Sequence, residues 1–289
     1  MKKVPVMIIS SEISAENENI CFKYGVFDFI GRPFKTSIVR KRVQNMINIY
    51  VYKNHLEQQV QEQTAVLRKA YEKLEKQKER VEKLNKDILD MLGTIVEFRN
   101  LESGEHIMRV KGYTKILAEK FKELYPEYNI TDETIDNIVE ASALHDLGKI
   151  SIPDKILLKP GKLTKEEFEY MKLHTVKGCE LIQAVNLEQS EELKQICYDI
   201  IRYHHERYDG KGYPDGLKGD EIPVSAQLVS LADVYDALIN ERCYKDAFSN
   251  EKAFNMIMNG ECGTFSPKLL ETFKQVRDKF ERFAIEERK

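Results

Sequence analysis

The chain has 289 residues, 42% hydrophobic and 32% charged, enough apolar material for one good-sized domain with an appendage and enough charge to keep it in water. Its 45 basic and 48 acidic side chains nearly cancel, to a net charge of −3, so no broad positive field exists to hold a nucleic acid polymer, whereas a small anionic ligand stays open. No run of about 18 apolar residues occurs, and the apolar stretch of MKKVPVMIIS is too short for a signal peptide, so no membrane association is expected and the expected compartment is the cytoplasm.

Residues 1–50 read as β-α-β-α: an apolar run (VPVMIISSE), a helical segment, a second run (YGVFDFIGRPF) and an amphipathic helix from about Ser37. This pattern resembles the second half of a response-regulator receiver domain. Ser10 falls where that family has its switch hydroxyl, Phe29 at its aromatic switch, and Arg32-Pro33-Phe34 at its Lys-Pro-Phe. Arg32 replaces the family lysine, and the strands and phosphate-accepting aspartate that would precede Val4 are absent. Phosphorylation control of the usual kind is therefore not expected. Half a parallel sheet leaves an open edge, so the segment is expected to be poorly ordered or to borrow a partner.

Residues 51–98 read as a coiled-coil linker. Glycine and proline are nearly absent, and Val60, Leu67, Leu74, Val81, Ile88 and Ile95 recur every seven residues, the period of a left-handed supercoil. The second seam position is weaker, with Thr64, Tyr71, Asn85 and Leu92. A parallel homodimer is expected, with a single charged helix packed on its own domain as the alternative.

Residues 99–289 read as almost entirely helical, so the fold class is mainly α: an all-helical domain preceded by a coiled-coil helix and a partial α/β segment. Thr131 caps a helix predicted to run to Gly148, and Thr164 with Glu167 forms a capping box for the helix carrying His174. Ile196, Ile200, Ile201 and His204 share one helical face ahead of the turn-rich DGKGYPDG. Pro223 opens a helix holding Asp233 and Asp236, and Ser266-Pro267 opens a last one. The five cysteines, Cys21, Cys179, Cys197, Cys243 and Cys262, form no C-x-x-C pair and read as reduced, buried thiols.

Five of the six histidines fall in this helical region, beside carboxylates or one another, a distribution that asks for a metal. Glu102 and His106, four apart, share a helical face and can grip one cation. His145-Asp146 offers an imidazole and a carboxylate able to bridge two ions; His204-His205 is a second adjacent pair, His174 a single ligand and Asp233 a later acid. Imidazole and carboxylate without thiolate favour iron, manganese or zinc in a catalytic role over structural zinc.

The order of these pieces, E-x-x-x-H, HDLGK, His174, HHERYDGKGYPDG, then LADVYDAL and RCYK, resembles the HD-GYP family over about 190 residues. The shared motifs are His145-Asp146-Leu147-Gly148-Lys149, the run from Ile152 to Leu163, His204 to Pro214, and Asp233 to Lys245. The resemblance implies an HD-type metallohydrolase opening cyclic di-GMP to pGpG or GMP, with protein partners in signalling. It implies metal ligation by Glu102, His106, His145, Asp146, His174, His204, His205 and Asp233. His145, Asp146 and Lys149 would form the catalytic group, and Tyr213, Arg242, Lys245 and Asp236 would contact substrate. Tyr213 either stacks on guanine or plugs its loop, and Asp236 either meets substrate or pairs structurally with Arg242. Two or three divalent ions are implied; Glu102 points to three, which these eight side chains cannot saturate, leaving places for water and phosphate. Asn100 departs from the family's aspartate, with a consequence expected for metal uptake or substrate fit.

Overall fold

The computed structural model describes residues 4–11, 14–100, 104–184, 191–241 and 247–287, which fall into two units, Met1–Val81 and Glu82–Lys289. In the first, strands β1 (Met7–Ser10) and β2 (Asp28–Gly31) pair in parallel, Ile8 opposite Phe29 and Ile9 opposite Ile30. Helix α1 (Ala15–Lys23) connects them, its first turn capped by Ser14 Oγ, which accepts from Asn17 N at 3.2 Å. Phe29 and Ile30 are buried, while Val4, Val6, Ile9 and Phe22 stay exposed.

Helix α2 (Thr36–Arg99) runs unbroken for 64 residues. The helix predicted from about Ser37 and the linker predicted from residue 51 are thus one element, because no glycine or proline occurs between Thr36 and Gly93. Its seven-spaced stripe, Val60, Leu67, Leu74, Val81, Ile88 and Ile95, is exposed throughout. Leu89, Gly93, Val96 and Glu97 are buried instead, so the last turns of α2 belong to the second unit.

In that unit α3 (Glu105–Leu124) packs against α4 (Asp132–Ser142), α8 (Val224–Ile239) and α10 (Pro267–Glu286). Helices α6 (Lys165–Ala184) and α7 (Glu191–Tyr203) pack together, α7 also meeting α4 and α8, with the short α5 (Asp154–Leu157) against α6 and α9 (Asn250–Met258) against α8 and α10. Tyr113, Tyr235, Phe273 and Phe280 form the aromatic heart, with ring centroids 4.7 Å apart for Tyr113–Phe280 and 5.0 Å for Tyr235–Phe280. Buried Lys111 ties α2, α3 and α4 together, donating to Asp90 Oδ1 at 2.5 Å and Glu140 Oε2 at 2.9 Å.

The helix predicted to reach Gly148 stops at Ser142. His145 Nδ1 donates to the Ser142 carbonyl at 2.8 Å, taking one of the acceptors a continuing helix would use, and the chain turns into a 3₁₀ segment at Leu147–Ser151. The capping box of α6 is present, Glu167 N donating to Thr164 Oγ1 and Thr164 N to Glu167 Oε2.

Candidate metal centre

Separate elements deliver the predicted ligands to one place. His106 lies in the first turn of α3, His145 and Asp146 in the turn after α4, His174 in α6, His204 and His205 just past α7, and Asp233 on α8. Gly148 lets the α4 turn touch α6 backbone to backbone, since a Cβ there would lie 1.8 Å from the His174 carbonyl oxygen. That approach seats the His145-Asp146 pair against His174.

The rings are oriented by their other nitrogens. His145 Nδ1 donates to Ser142 O at 2.8 Å, His174 Nδ1 to Met171 O at 2.8 Å, and His204 Nδ1 to Ile200 O at 2.9 Å. A carbonyl only accepts, so in the neutral ring each Nε2 carries a lone pair. All three Nε2 atoms, and Asp146 Oδ1, are buried without a hydrogen-bond partner. Leaving such a group unsatisfied costs about 1–3 kcal/mol, which a cation would offset. Asp146 Oδ1 lies 3.3 Å from His174 Nε2 and 3.8 Å from His204 Nε2. Donor atoms of Asp146, His174, His204 and His205 fall within 4.8 Å of one another, and so do those of Glu97, His106 and His145. The residues present therefore fit divalent cations.

His106 is held by Asp236, its Nδ1 donating to Asp236 Oδ2 at 2.7 Å, and its Nε2 lies 3.6 Å from Asp233 Oδ1. Asp236 also accepts from Arg109 Nε at 2.7 Å and from Asn240 Nδ2 at 2.8 Å. It is 1% exposed, so its carboxylate faces His106 and Arg109, whereas the residue was expected to contact substrate or to pair with Arg242. Glu102, Arg242 and Lys245 lie outside the described residues.

Electrostatics splits the site. Burial would lift Asp146, but Lys149, with Nζ 2.6 Å from Oδ2, and His145 outweigh it and hold the carboxyl well below its usual range. Burial would lower His145; the Asp146 carboxylate reverses the sign and raises it to about 9. Burial pushes His204 down to about 3, lowers His174, and with His204 alongside drives His205 well down, so these three stay neutral. Burial lifts Glu97 to about 7.

The GYP loop leans on the centre. The Tyr213 ring sits 4.8 Å from the His205 ring at 32° and 6.3 Å from that of His174, and burial raises its phenol above the ordinary value. Glu206 Oε1 accepts from Asp215 N at 2.8 Å and Gly216 N at 2.9 Å, while Arg202 clamps Asp215 through two bonds of 2.7 and 2.8 Å.

Sequence reasoning missed two residues on α2. Glu97 is fully buried beside His106 and His145. Arg99 donates to the carbonyls of Lys149, Ile150 and Ile152 at 2.8, 2.6 and 2.7 Å and to Asp154 Oδ1 at 2.8 Å, so it fixes the loop after the His145-Asp146 pair. A signal for Glu97 existed: Leu89, Gly93 and Val96 mark an inward stripe, and Glu97 continues it four residues after Gly93.

Residues 104–269 match the HD-domain family, and the chain belongs to that family, in its HD-GYP branch. Among its relatives, a probable cyclic di-GMP phosphodiesterase of Vibrio cholerae is 35% identical over 297 residues, covering 98% of this chain and 64% of that protein. A cyclic di-GMP phosphodiesterase of Thermotoga maritima is 32% identical over 284 residues, 96% of this chain and 73% of that protein. A 3'3'-cGAMP-specific phosphodiesterase 2 of Vibrio cholerae is 38% identical over 196 residues, 68% of this chain and 35% of that protein. The chain thus spans under two thirds of the first relative's length. Among the described residues no helix is long and apolar enough to cross a membrane.

Proposed function

We propose that this chain is a metal-dependent phosphodiesterase that hydrolyses cyclic di-GMP in the cytoplasm. The observation that carries the reading is the convergence on Asp146 of three buried imidazole Nε2 atoms that have no hydrogen-bond partner. Asp146, His174, His204 and His205 would hold one cation. His145, His106 and Asp233, with Glu102, would hold one or two more. A nitrogen and oxygen donor set without thiolate suits iron or manganese. When bound, such cations supply Lewis acidity and acidify a water toward neutral pH.

The chain's own residues then bind and orient the substrate. Lys149, already beside Asp146, offers an ammonium to a phosphate, and Arg242 and Lys245 would offset the second charge of the dinucleotide. Tyr213 presents a ring edge-on to Phe168 and close to His205, a surface on which a guanine can stack. Asp236 keeps the His106 ring in register. The exposed stripe of α2, six apolar residues spaced seven apart, supports a parallel homodimer, through which protein partners in signalling would act.

A second substrate, 3'3'-cGAMP, is favoured by the relative specific for it. Protein loaded anaerobically with ferrous iron or manganese is assayed on both dinucleotides, beside His145→Ala and Asp146→Ala. Metal-dependent formation of pGpG or GMP, lost in both variants, supports the proposal; turnover of cGAMP alone would move it to the second substrate, and bound metal without turnover of either would leave a sensor. For the dimer, sedimentation of Leu67→Glu/Leu74→Glu protein is expected to show a monomer where the unsubstituted chain is dimeric.

A further inference from the structure

Glu97 is the one member of the centre that no motif singled out, and its surroundings explain its position. One turn earlier, Gly93 brings α2 against the α4 turn so closely that a Cβ there would lie 2.3 Å from the Ala143 carbonyl oxygen. Two residues later, Arg99 grips the carbonyls of Lys149, Ile150 and Ile152. Between these anchors the Glu97 side chain is directed at His106 and His145, with donor atoms of all three within 4.8 Å. Both of its carboxylate oxygens are buried and neither has a hydrogen-bond partner. A carboxylate so placed costs several kcal/mol unless a cation or proton accompanies it. The two imidazoles beside it have their Nδ1 atoms engaged by Asp236 and Ser142, which leaves their Nε2 edges for the same ion.

We propose that Glu97 is a metal ligand, forming with His106 and His145 a cation subsite beside the one built on Asp146. The inference rests on the reading of the site as a metal centre. It adds a carboxylate from the end of α2 to ligands that otherwise come from the helical domain's own turns and helices. His145, adjacent in sequence to Asp146, links the two subsites.

The test reads metal content instead of activity. The unsubstituted chain, Glu97→Gln, Glu102→Gln and His174→Ala are stripped, reloaded anaerobically with manganese or ferrous iron, desalted and analysed for metal per chain, with circular dichroism confirming the fold. Glu97→Gln is expected to hold roughly one equivalent less than the unsubstituted chain and to gain less thermal stability on metal addition. Equal metal content in Glu97→Gln, including the case where Glu102→Gln alone loses the ion, overturns the assignment while leaving the metal reading intact. An unsubstituted chain that binds no metal overturns the metal reading and Glu97 with it. Should Glu97→Gln fail to fold, Glu97→Asp replaces it: the shorter carboxylate is expected to retain the ion only at raised metal concentration, and unchanged retention counts against ligation.

Discussion

His106 Nδ1 and Asp236 Oδ2 lie 2.7 Å apart, and Arg109 grips the same carboxylate from the other side. One buried acid thus orients a candidate ligand and neutralises a guanidinium. Asp236→Ala is expected to cost about 3–5 kcal/mol in urea unfolding, because buried Arg109 is left with only its 3.4 Å contact to the exposed Glu105. Asp236→Asn, which keeps the shape, is expected to fold and to weaken metal binding about 10–100-fold in a titration of the metal-free chain. Wild-type affinity in Asp236→Asn would show that His106 needs no orientation from this residue.

Gly148→Ala puts a methyl 1.8 Å from the His174 carbonyl oxygen, with backbone on both sides and no flexible side chain to yield. The substitution is expected to destabilise the chain by about 1–3 kcal/mol and to separate His145-Asp146 from His174. Thermal unfolding reads the first effect and metal content the second.

Arg99→Ala removes four donor contacts to the Lys149–Asp154 stretch. A loss of about 1–3 kcal/mol is expected by urea unfolding, toward the lower end because the side chain is partly exposed. Hydrogen exchange is expected to quicken in residues 149–154 ahead of the rest of the domain; uniform quickening would deny Arg99 this local role.

In the metal-free chain His174, His204 and His205 are held below their ordinary values, His204 at about 3. As pH falls below about 6.5 the unfolded chain takes up protons at these histidines that the folded chain refuses, so stability declines. Glu97, raised to about 7, acts the other way, since the folded chain takes its proton first. Asp199 and Glu206, raised by burial, act with Glu97, while His106, which burial would lower but Asp236 raises, and His145, raised to about 9, give up their contributions only as pH rises through their folded values. The depression of His204 to about 3 and of His205 well below its ordinary value sets the sign. The urea midpoint of metal-free protein is therefore expected to drop between about pH 6.5 and pH 5; a flat profile would argue that these imidazoles are not buried and neutral.

Much of this site was legible because metal chemistry constrains residue type and order. His106, His145, Asp146, His174, His204, His205 and Asp233 stand in recognisable strings, and the structure brings them together. Helix starts were legible from caps such as Thr131 and Thr164. The end of α4 was not, because it depends on His145 bonding to Ser142, which no local propensity announces. Glu97 was hidden for a related reason: among the many glutamates of a charged helix only the short stripe of Leu89, Gly93 and Val96 distinguishes it, and the longer seven-residue period through Ile88 and Ile95 marks the other face.

That face and Glu97 are locked in angle. At about 100° per residue, Glu97 stands two residues and about 200° past Ile95, so exposed Ile88 and Ile95 and the inward carboxylate occupy opposite sides of the last turns of α2. Within the second unit, a single residue inserted between Ile88 and Gly93 would swing Ile88 by about 100° against the carboxylate, whereas seven residues would return it to within about 20°. These last turns of α2 therefore behave like a keyed shaft: a one-residue insertion between Ile88 and Gly93 cannot keep both Ile88 outward and Glu97 inward.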